Sequence, residues 1–283
     1  TVIAPNSTPN LNPASVMRNI CRAAISIILL AGLGLLSSAQ AQSQEVPPTD
    51  DQSSGFVAES GRFAFFSHYW LNMHHFLHQV ALAQDEGRPS PVDADVEDQL
   101  SAPEKNAFEA AIAFYKRNLL NKDLRSSEYM QDFKDWVVRQ DTTGLSSVPQ
   151  EFRDHTDRLA AFGSAYRQHF WDRHQISNKN IVSDNLNLVR ATEDSVAERL
   201  SSLARESWPD YKIRVDVTHY GKSQDNTAFT TIFPAHIVAP SKGRTVEGGW
   251  VETLYHEAGH QLIRPRTGFV PETIGDVSEV KGE

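Results

Sequence analysis

The hydrophobic period of this 283-residue chain changes once, at Trp208-Pro209, and that change limits what it can fold into. Before it, apolar residues recur at helical spacing, as in Phe108, Ala111, Ile112 and Tyr115, or Leu186, Leu188, Val189, Val196 and Leu200. After it, Ile213, Val215 and Val217 alternate with Arg214, Asp216 and Thr218, the pattern of a half-exposed strand. Helices followed by strands, without alternation of the two, predict an α+β fold. The expected order is a mainly helical region over 62–210, then a small antiparallel β region and one last helix within 211–283.

Local signals sharpen this outline. Bulky residues from Phe63 to Gln84 predict a first helix, and Ser101 with Glu104 forms a capping box that starts a second, running to about Leu120. Further helices are expected over about 127–139, 149–174 and 182–207, the last stopped by Trp208-Pro209. Phe229 to Val238 reads as a strand that Pro234 confines to a sheet edge or a bulge. Trp250 to Ile263 reads as a helix that Pro265 ends.

The first 41 residues read as an upstream extension and an export signal. Arg18 and Arg22 follow Met17, an apolar run spans Ala23 to Leu36, and Ala39-Gln40-Ala41 supplies the small residues of a cleavage site. Residues 17–41 are therefore expected to direct the chain out of the cytoplasm, with cleavage after Ala41 and a secreted or periplasmic product. The other reading of the run is an uncleaved anchor; after cleavage no stable membrane insertion is expected. Residues 42–61, rich in Ser, Gln, Pro and Asp, read as a flexible lead-in. Cys21, the single cysteine, leaves with the signal, so neither a disulfide nor a thiolate metal site is expected. The net charge of −9 becomes more negative once the two leader arginines go, and with no basic block it excludes nucleic acid as an expected partner.

His256-Glu257-Ala258-Gly259-His260 carries the chemistry. Two histidines four apart on a helix stand one above the other, so both imidazoles reach one ion, and the intervening glutamate can take a proton from water on that ion. Thr253, His256 and His260 share one face of the helix, with Glu257 at its edge. Val251, Leu254, Tyr255, Ala258 and Leu262 share the opposite face, which the fold should bury. Gly259 lowers helix propensity, which suggests that another group approaches closely there.

This segment, with Leu254 before and Leu262 after it, resembles the active-site helix of zincin metallopeptidases. The likeness covers about Lys212 onward, and the whole chain is similar to uncharacterised secreted bacterial proteins that carry the motif after a helical half. The resemblance implies Zn²⁺ on His256 and His260, Glu257 as general base, a peptide or protein substrate, and a sheet edge near Phe229–Val238 that aligns it. It also implies a third protein ligand. Ile263 and Arg266 depart from the metzincin continuation and exclude that subclass. Glu279 lies at a spacing that gluzincins use, although Ser278 stands where those enzymes have asparagine; Glu272 and Asp276 are further candidates. The ending Lys281-Gly282-Glu283 reads as an unfinished C-terminus, beyond which another ligand would compete with Glu279. His219 and Tyr220, at a strand end, are candidates for stabilising an oxyanion, and His236 is a weaker one.

Other polar clusters read first as helix packing: His68, His74, His75 and His78 in the first helix, and Tyr166 to Trp171 with His174 and Asn178. The expected function is a secreted zinc-dependent hydrolase of peptide bonds. The alternative is a non-catalytic zinc-containing protein whose helical half binds a ligand or partner.

Overall fold

The computed structural model describes residues 55–92, 94–232, 235–243 and 249–263. In chain order these form β1 (Phe56–Glu59), β2 (Phe63–Phe66), α1 (Tyr69–Asp85), α2 (Ala94–Glu97), α3 (Ala102–Asn118) and α4 (Glu128–Val137). A 3-10 turn then leads into α5 (Arg153–Tyr166), a π-helical stretch (Arg167–Trp171) and α6 (Asp172–Ala204). The last elements are β3 (Ile213–Thr218), β4 (Phe229–Ile232), β5 (Ala235–Pro240) and α7 (Gly249–Ile263). The leader and the lead-in up to residue 54 lie outside the described residues, as does everything after Ile263.

The α+β class holds, but the sheet is mixed. Its order is β1-β2-β3-β5-β4, with β2–β3 and β3–β5 parallel and the two outer pairs antiparallel. Two strands come from before the helices: β1 falls within 42–61, the stretch expected to be a flexible lead-in, where pairing with β2 makes it a strand, and β2 joins the C-terminal strands in one sheet. The helix expected from Phe63 begins at Tyr69 instead. Phe63 to Phe66 is a short aromatic run, which periodicity alone cannot assign, and pairing with β3 makes it a strand. Phe63 and Phe65 point to one face, where their rings meet Tyr255 and Trp250 at 5.9 and 6.0 Å. The single strand expected over Phe229–Val238 is a hairpin, β4 folding back on β5, and Pro234 falls outside the described residues.

Apolar side chains form one core on each face of the sheet. One gathers α1, α3, α4 and α5 with Phe229 and Val238. The other packs α6 and α7 against Phe63, Phe65, Val215, Val217 and Ile237. Helix α1 is buried all round, as expected for a helix apolar on every side. Its polar residues are tied inward: Asn72 Nδ2 donates to the Val217 carbonyl at 3.2 Å, and Gln79 Nε2 to that of Gly221 at 2.9 Å.

The alternation in β3 is correct, but its polar side is not exposed. Arg214, Asp216 and Thr218 are each 0% exposed. They face the helical layer on α1 and α4. Arg214 Nε donates to Asp216 Oδ2 at 2.6 Å, and the guanidinium lies 3.8 Å over the Phe66 ring. His236 Nε2 meets the same Asp216 oxygen at 2.8 Å, and its Nδ1 lies 3.6 Å from Asp135, which pairs with buried Lys134 at 2.9 Å. Burial pushes the Asp216 carboxyl up, but the Arg214 charge and the His236 hydrogen bond outweigh it and hold the group well below the usual carboxylate range. Charges taken out of water persist only when paired in this way. Lys134 Nζ also donates to Thr231 Oγ1. That contact ties α4 to the end strand β4.

Candidate metal centre

Helix α7 is fixed on two sides before its histidines come into play. Val251, Leu254, Tyr255, Ala258 and Leu262 are buried in the core that α6 shares, as the helical wheel requires. Tyr255 OH donates to the Val189 carbonyl of α6 at 3.1 Å and meets Thr192 Oγ1 at 3.0 Å. On the other flank, Gln261 Nε2 donates to Thr230 Oγ1 at 2.8 Å and to the Thr231 carbonyl at 3.1 Å. The helix is therefore locked to both α6 and β4, and its orientation is set by side chains other than the motif itself.

The opposite face carries the motif. His256 is exposed, His260 half-buried and Glu257 buried. The two imidazole centroids are 4.9 Å apart with the rings at 89°. Ligand atoms of His256, Glu257 and His260 all lie within 4.8 Å of one another. Zinc binds imidazole nitrogen at about 2 Å, so two such rings can meet on one ion while the carboxylate stands within reach of a water on it. Burial lowers the affinity of both rings for protons, with the nearby positive charge of Arg125 adding to it. His260 is brought to about 4, with His256 as a further cause. Imidazole binds metal in this neutral form. The donor set thus fits the zinc that the sequence implies.

The structure does not bring every expected residue here. Glu279, Glu272 and Asp276 lie outside the described residues. His219 and Tyr220 are built into another cluster. The His219 ring stacks on His174 at 4.3 Å and 11°. Tyr220 OH donates to the Pro91 carbonyl at 3.0 Å, and Lys242 Nζ sits 4.5 Å over its ring. The strand register explains the separation. His219 follows Thr218, which pairs with Pro240 at the end of β5, whereas Gln261 bonds beside the start of β5. The oxyanion role expected of that pair is not carried forward. His236 lies in the buried ionic network under β5. His74 and His78 pack inside α1 as expected, with His74 Nδ1 on the Tyr115 hydroxyl at 2.9 Å.

Gly259 also differs from its expectation. A Cβ there would meet only Leu200 Cδ1, at 4.0 Å, an ordinary contact. Among the described residues, no group approaches closely enough to require glycine.

Two contributors went unnoticed in the sequence. Gln261 adjoins the motif and was detectable only as a polar residue beside it. Arg125 lies far away in sequence, on the loop between α3 and α4, and nothing near it signals the metal centre. Comparison with known proteins adds no further constraint, since no protein-family model, no curated protein and no solved structure matches this chain.

Proposed function

We propose that the chain is a zinc-dependent hydrolase of peptide bonds, exported through the signal read at residues 17–41. The convergence of His256, Glu257 and His260 within 4.8 Å on the side of α7 opposite its apolar face carries this reading. Zinc held there would supply a Lewis acid and a water whose pKa is lowered toward neutrality. His256 and His260 would hold the ion as neutral ligands. Glu257 takes the proton of the attacking water on a carboxylate oxygen and returns it to the leaving amine nitrogen. Strand β4 closes the sheet order, and its outer edge has no strand partner among the described residues. An extended peptide adds to such an edge through main-chain hydrogen bonds. Gln261, the residue after His260, bonds to that strand, so one connection relates the strand to the second histidine.

Replacing Glu257 with glutamine tests the assignment. Zinc content should be kept while peptide turnover falls by about two to four orders of magnitude, the usual worth of a general base. Turnover that survives in Glu257→Gln contradicts the mechanism.

A further inference from the structure

Strand β4 stands at the end of the sheet, and β5 is its one strand partner among the described residues. Successive side chains of a strand leave on opposite faces, and two adjacent threonines of β4 use both. Thr230 Oγ1 accepts from Gln261 Nε2 at 2.8 Å, on the side of the motif helix. Thr231 Oγ1 accepts from Lys134 Nζ of α4, on the side of the helical layer. The Thr231 carbonyl accepts a further bond from Gln261 at 3.1 Å. Thr231 is therefore the residue at which α4 and α7 meet, its hydroxyl bonded to one helix and its carbonyl to the other.

An apolar side chain would fill the place of Lys134 at lower cost. Lys134 is 3% exposed, and a charge taken out of water is destabilising unless it is paired and hydrogen-bonded. Asp135 supplies the opposite charge at 2.9 Å, but that pair lies within one helix and does not involve β4. The bond to Thr231 adds what the pair lacks. It fixes an end strand to a helix whose Met130, Phe133 and Val137 are set in the core. Asp135 in turn stands 3.6 Å from His236, the β5 residue opposite Thr231 in the ladder. Resting on the zinc-hydrolase reading, we infer that Lys134 is a positioning residue for the metal centre. Through Thr231 it fixes the strand on which Gln261 seats, and with it the place of the adjoining His260.

Thr231→Val keeps the carbonyl that Gln261 uses and the branching of the side chain, and removes the hydroxyl. Competition with a chromophoric chelator reads zinc affinity, alongside kcat on one peptide and the urea midpoint. Partners that orient a metal ligand from outside are worth about tenfold to a hundredfold in affinity or activity. Thr231→Val should weaken zinc binding by about tenfold and lower kcat with it, the low end of that range because it acts through Gln261. Thr231→Ser, which retains the hydroxyl, should restore both. In a Gln261→Ala background the connection is already cut, so Thr231→Val should add no further loss. Lys134→Met should repeat the pattern, and it replaces Thr231→Val if that variant does not fold. Unchanged zinc affinity in either folded variant overturns the inference. A loss as large with Gln261→Ala as without it also overturns it, as does failure of both variants to fold, since the contact then serves stability alone. Wild-type chain that binds no zinc overturns the hydrolase reading and this inference with it. Wild-type chain that binds zinc but cleaves no peptide overturns that reading alone, and the zinc affinities then decide the role of Lys134.

Discussion

Gln261 donates its side-chain amide to Thr230 Oγ1 at 2.8 Å, and this bond joins the motif helix to the strand that closes the sheet. The residue next to it is His260, so the contact sets where the second imidazole stands relative to the β4 edge. Gln261→Ala should cost about 1 kcal/mol of stability, the net worth of a hydrogen bond. Peptide turnover should fall more than stability does, since a small shift of a positioned group costs about a hundredfold in rate. Denaturant unfolding together with kcat/KM on one peptide checks this. Unchanged kcat/KM would show that β4 and the metal centre act independently.

Gly259 gives a prediction of opposite sign. An alanine methyl has room against Leu200 Cδ1 at 4.0 Å. Helix propensity then favours alanine by up to about 1 kcal/mol. Gly259→Ala should raise the unfolding temperature and retain zinc. A drop in stability would reveal a close approach that is not found among the described residues.

Buried histidines predict early acid sensitivity. Burial brings His68 and His78 to about 4, and His75 and His155 to about 3, from 6.5. His78 has neither ring nitrogen hydrogen-bonded, which suits a neutral ring shut away from water. In the unfolded chain these groups take up protons near 6.5, while in the fold they resist until pH 4 or 3. Their stabilising contribution is therefore complete above pH 6.5 and is lost as pH falls toward 4. Each group accounts for up to about 1.4 kcal/mol per pH unit in that window. Urea midpoints measured at pH 7.5, 6 and 5 should fall steeply and reversibly. A midpoint that stays flat down to pH 5 would contradict the burial of these rings.

Much of the helical half was legible because its cues are local. Ser101 and Glu104 form the expected capping box of α3, and the apolar face of α7 is the one that the wheel indicates. The β region was harder to read because sheet partners are distant in sequence. Nothing in Phe63 to Phe66 announces a parallel pairing with Ile213 to Asp216, and the same aromatic residues suit a helix. The polar side of β3 was misread for a related reason. Alternation shows that two faces differ, but not that Lys134, Asp135 and His236 wait to pair the charges on one of them. At the metal centre the motif announces its own three residues. The charge of Arg125 stays invisible because it bears on the imidazoles through the tertiary fold, not through sequence spacing. His219 and Tyr220 were misplaced because a strand end has no address until the strand order is known.

The most direct test is metal stoichiometry. Chain purified without chelator should carry one zinc per molecule, and EDTA should strip it with loss of turnover that added zinc restores. Both His256→Ala and His260→Ala should reduce the bound zinc to trace levels, since a site that loses one of its few ligands cannot hold the ion. Wild-type chain that holds no zinc above trace, or zinc that persists when both histidines are replaced, would contradict the account.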